Sequence, residues 1–79
     1  MLEFKQVDSY MWKATHDNLA CYVDHQRNRY IVQWTPHSGR SCDIICTASF
    51  ATLKDAQQNA PEVLVRYINT TFAKLKEIS

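Results

Sequence analysis

Cys21 and His25 stand four positions apart, as do Cys42 and Cys46, and these two pairs of sulfur and imidazole donors are the chain's nearest approach to a metal site. A structural zinc ion needs its donors within about 2.0 to 2.3 Å, each pair usually set across a tight turn. Both pairs fall largely in stretches that read as strands, where residues four apart are separated by about 13 Å. The same separation argues against a Cys42 to Cys46 disulfide, so the cysteines read as small apolar core residues. A cysteine nucleophile would need a base within hydrogen-bond reach, yet His16, His25 and His37 all fall in expected turns at the ends of a sheet. No two carboxylates are spaced as an acid/base pair, and one glycine cannot build a phosphate-cradling loop. No catalytic residue, cofactor or metal ligand is assigned, and no enzymatic activity is expected.

With chemistry of that kind set aside, composition bounds the fold. A chain of 79 residues makes one small domain and buries only about 60 to 65% of the surface that its unfolded form exposes. Most of its large side chains are therefore needed inside. The 46% hydrophobic and 22% charged residues belong to a globular chain. A net charge of +1 gives no general attraction to nucleic acid or to an anionic membrane. Charges among the first eight residues leave no room for a signal peptide, and no apolar run reaches the length of a membrane span. The odd count of three cysteines is not a disulfide framework. The expectation is a cytoplasmic protein.

The strongest local signal is a hairpin: Tyr30 to Thr35, a turn from Pro36 to Gly39, then Arg40 to Thr47. Placing Gly39 at the left-handed bulge position pairs Trp34 with Cys42 and Val32 with Ile44. Upstream, Tyr10 to Thr15 and Leu19 to Asp24 alternate as strands, and residues 2 to 7 read equally well as an edge strand or as irregular chain. A two-residue turn at His16-Asp17 sets Trp12 against Cys21 and Ala14 against Leu19. A four-residue loop from His25 to Asn28 sets Val23 against Tyr30 and Cys21 against Val32, with Asn28 best suited to a left-handed backbone. One row then crosses the sheet: Trp12, Cys21, Val32 and Ile44.

The C-terminal third supplies helices to cover that row. Thr52 can cap a helix, with Asp55 three residues on, and Leu53, Ala56 and Ala60 form a narrow apolar edge. Pro61 suits the first turn of a new helix better than the interior of an old one, so two helices, one short and one long, are expected. In the second, Leu64, Val65, Ile68, Phe72 and Leu75 share an arc of about 100°, and Glu62 and Arg66 form an i, i+4 pair. The fold class is α+β: an antiparallel meander of about four strands with both helices on one sheet face.

The opposite face then carries Tyr22, Ile31 and Ile45, with Met11 nearby, among Lys13, Asp24, Gln33, Thr35, Asp43 and Thr47. A patch of large apolar side chains on a wet surface marks a contact. The expected function is a non-enzymatic interaction module that self-associates or binds a protein partner there, through Tyr22, Ile31, Gln33 and Ile45. The competing expectation is nucleic-acid binding, with Lys13, Arg27, Arg29 and Arg40 as contacts. Strands followed by a C-terminal helix are similar in architecture to the arm-type DNA-binding domains of phage integrases and to plant AP2 domains. That likeness would imply a strand face laid against DNA, and it transfers no residue. Against it, Asp24 and Asp43 share the face, and Arg40 lies at the opposite end from Arg27 and Arg29, whereas phosphate binding gathers positive charge on one surface.

Overall fold

A computed structural model describes residues 2–36 and 44–78. Five antiparallel strands run in sequence order across a single sheet: β1 (Lys5–Asp8), β2 (Met11–His16), β3 (Leu19–Gln26), β4 (Arg29–Pro36) and β5 (Cys46–Phe50). One helix, α1 (Leu53–Ile78), follows. The α+β meander is therefore as expected, with a fifth strand. Leu2 and Phe4 precede β1 and pack against the core instead of alternating within a strand.

Each of the three expected hairpins pairs in a register displaced from the one its residues suggested, always by an even number, so the faces are kept. Between β2 and β3 the turn is Asp17-Asn18, with Asp17 at φ 52°, and Trp12 faces Val23 while Ala14 faces Cys21. Between β3 and β4 the loop is Arg27-Asn28 alone, at φ 49° and 65°. Both residues in the left-handed region match the turn type whose twist suits a two-residue hairpin. His25 and Gln26 thereby join β3, and His25 stacks flat on Tyr30 at 4.3 Å while its N–H reaches the Tyr10 carbonyl at 2.8 Å. Those two contacts favour the shorter loop over the expected four-residue one. Val23 consequently pairs with Val32 and Cys21 with Trp34.

The main hairpin departs most. Trp34 pairs with Cys46 and Val32 with Ala48, four residues beyond the expected partners. The expected turn at His37 to Gly39, together with Arg40, Cys42 and Asp43, lies outside the described residues. In β5 the inward positions are Cys46, Ala48 and Phe50. The bulkier Ile44, expected in the core row, is 42% exposed. The row that crosses the sheet is Trp12, Val23, Val32 and Ala48.

The helix lies against that row through Ala56 and Ala60, which are buried with Cys21, Val23, Val32 and Trp34 in one cluster. It starts as expected: the Asp55 N–H donates to Thr52 Oγ1 at 3.1 Å, an N-cap. It does not end at Pro61. A single helix of 26 residues runs through the proline, which leaves the Gln57 carbonyl without its intrahelical donor. The Trp34 indole Nε1–H donates to the Ala60 carbonyl at 2.8 Å, clamping the turn just before Pro61 to the sheet. This tertiary hold outweighs the local preference for a break.

Candidate interaction surfaces

The open sheet face is a less apolar surface than its sequence implied. Tyr22 lies between Lys13 and Gln33, and Ile31 between Asp24 and Ser49. Lys13 Nζ sits 5.4 Å from the Tyr22 ring centroid, and Arg29 Nε donates to Ser49 Oγ. Tyr22, Ile31 and Gln33 are each half-buried, so the strands bring these three together. Ile45 does not join them. Its N–H donates to the Trp34 carbonyl at 2.7 Å and it packs against the core, so the expected Ile31 to Ile45 pair is replaced by Ile31 and Ser49.

The cations are dispersed. Lys13 is mid-strand in β2, Arg27 is in the β3–β4 turn and Arg29 opens β4. Asp24 stands on the same face, and its carboxylate accepts a hydrogen bond from Gln26 Nε2. No concentrated basic surface results among the described residues.

The groups that could do covalent or metal chemistry are also apart. Cys21 is fully buried, and its thiol is pushed up to about 12 by burial and secondarily by Cys46. The half-buried Cys46 thiol is raised by burial. His16 lies 3.5 Å from Asp17 in an exposed turn, and His25 is stacked on Tyr30. Among the described residues no three His, Cys, Asp or Glu side chains are grouped to hold an ion. Nor is any helix among them long and apolar enough to cross a membrane.

The surface that sequence reasoning misplaced is on α1. Leu64, Val65, Ile68, Phe72 and Leu75 were expected to cover the sheet as one stripe. Only Leu64, with Val63, packs against the core. Val65 is 46% exposed, Ile68 52%, Phe72 59% and Leu75 57%, and Ile78 at the helix end is 83% exposed. The reason is rotational: Ala56 and Ala60 set the contact face, and the stripe lies about 100° around the helix from it. It is also longitudinal. A helix of 26 residues is about 39 Å long, and the molecule measures 46 × 27 × 25 Å, so the second half of α1 runs past the sheet.

Two hollows flank the helix. One lies between β5 and α1, walled by Ala48, Phe50, Asn59, Val63, Arg66 and Tyr67. The other, lined by Leu2, Phe4, Leu53, Gln57 and Pro61, lies on the side of the stripe and continues it toward the helix N-terminus. No protein-family model matches the chain, and no curated protein or solved structure is significantly similar to it.

Proposed function

We propose that the chain is a small non-enzymatic interaction module that binds a helix of another polypeptide chain through the exposed apolar stripe of α1. The observation that carries this is the combination of Val65, Ile68, Phe72 and Leu75, each about half exposed, on a helix half that projects beyond its sheet. Large apolar side chains scattered singly need no explanation, but a contiguous set on one helical face marks a contact. Their spacing of three, four and three residues is the seam by which one helix packs on another. The open sheet face, with Tyr22, Ile31 and Gln33 half-buried and flanked by Lys13, Asp24 and Thr47, offers a weaker apolar attraction.

Site-specific photocrosslinking separates the two surfaces. Benzoylphenylalanine is placed at Phe72 or Leu75 on the helix, and at Tyr22 or Ile31 on the sheet, in the cells that express the chain. Protein adducts from the helix positions are expected. Adducts from the sheet positions alone would overturn the assignment to α1.

A further inference from the structure

The proposed stripe has a pattern that selects its occupant. We propose that the partner is a second copy of this chain, its α1 packed antiparallel to the first, with the two-fold axis on the stripe side at the level of residue 70. This rests on the stripe being the docking surface. In heptad terms Val65 and Phe72 occupy one core position and Ile68 and Leu75 the other. An antiparallel pair centred at residue 70 stacks Val65 on the partner's Leu75 and Ile68 on the partner's Phe72, and the two-fold axis repeats both layers. Every large side chain of the stripe then meets another.

The flanking positions fit the same register. On one flank Glu62 comes opposite the partner's Lys76, an attraction made twice, with Asn69 facing its own copy between them. On the other flank Leu64 comes opposite the partner's Ile78, with Thr71 facing its own copy. Ile78, the most exposed large apolar side chain among the described residues, is thus brought to the mouth of the groove that Leu2, Phe4 and Pro61 line. Glu62 already pairs with Arg66 at 3.6 Å, and Lys76 Nζ lies 5.4 Å from the Phe72 ring centroid. Lys76 thus sits at the seam's margin, while Glu62 leans toward Arg66 and the β5–α1 hollow and has to turn from it to reach the partner's Lys76. A parallel pair has none of this complementarity: Glu62 and Lys76 would lie about 21 Å apart along the axis, and both sheets would crowd one end.

The test is sedimentation equilibrium of the full chain from micromolar to millimolar concentration, for wild type, Glu62→Lys, Lys76→Glu and the double variant. Wild type is expected to dimerise. Each single exchange sets like charges together at two symmetric places and should weaken the dimer about tenfold. The double exchange should restore it to within about twofold of wild type. Far-UV circular dichroism checks that each variant keeps its helix. A dimer whose affinity the single exchanges leave unchanged, or which the double exchange fails to rescue, overturns the antiparallel register; Phe72→Glu would still dissociate it if the stripe is the interface. A monomer at every concentration overturns the second copy as occupant, and crosslinking from position 72 then decides separately whether the stripe docks a different protein.

Discussion

Replacing Trp34 with phenylalanine would keep an aromatic ring in the core while removing the donor that the Ala60 carbonyl accepts from. The carbonyl keeps its helical partner, so the expected loss is that of one buried hydrogen bond and a little volume, about 1 to 2 kcal/mol. Urea denaturation of Trp34→Phe measures it; an unchanged midpoint would show that the indole N–H does not hold the helix. Cys21 gives a prediction of another kind. Its folded thiol is raised to about 12 by burial and by Cys46, above the ordinary thiol value of about 8.5. Between roughly pH 9 and 12 the unfolded chain releases this proton and the folded chain retains it, so the unfolded state binds fewer protons and stability falls as pH rises. The contribution is complete below that window and is lost across it. Cys21→Ala should lower stability at pH 7 and flatten its decline from pH 9 to 11, read by urea midpoints at each pH. Core residues such as Cys21, Val23, Val32 and Trp34 were legible because alternation survives any even slip. Ile45 was not, since it lies just before β5, where strand alternation no longer fixes its side, and it packs against the core.

At the scale of elements, turns and helix ends show what a local pattern can and cannot specify. A slip by an even number leaves faces unchanged, so the meander could be read while its pairings could not. Arg27 at φ 49° is the least comfortable residue in the turns among the described residues, because a left-handed backbone disfavours a side chain other than asparagine or aspartate. The exchange Arg27→Asn/Asn28→Gly puts the preferred pair in that hairpin and should stabilise the fold by about 0.5 to 1 kcal/mol, measured as a higher urea midpoint. Pro61 poses the opposite case. Its sequence context argues for a break, and a residue far away in β4 holds the helix together across it. Pro61→Ala restores a donor to the Gln57 carbonyl and removes a steric conflict, for a gain of about 1 to 3 kcal/mol in thermal denaturation. A loss would mean that the proline fits a bend that the packing needs.

Taken whole, the molecule is a sheet gripped by half a helix, with the other half outside the core. Sequence periodicity located the stripe of α1 but not its destination, because amphipathicity states which residues share a face and not what that face meets. The pair Ala56 and Ala60, a weaker hydrophobic signal than Ile68 or Phe72, wins the sheet because small side chains permit the closer approach over Cys21, Val23, Val32 and Trp34, with which they are buried. The core that holds the fold and the stripe proposed for association thereby lie in different parts of the chain. Ile68→Glu and Phe72→Glu alter side chains that are more than half exposed, so in dilute protein each should change the unfolding free energy by no more than about 0.5 kcal/mol. At high concentration the behaviour should diverge. Binding between folded copies stabilises by mass action, so the wild-type Tm should climb as protein concentration is raised, while the Phe72→Glu Tm stays level. Differential scanning fluorimetry over a hundredfold range of concentration makes both measurements at once. A Phe72→Glu chain that melts far below wild type in dilute solution would show instead that the stripe packs within its own molecule, and that the outer half of α1 belongs to the core.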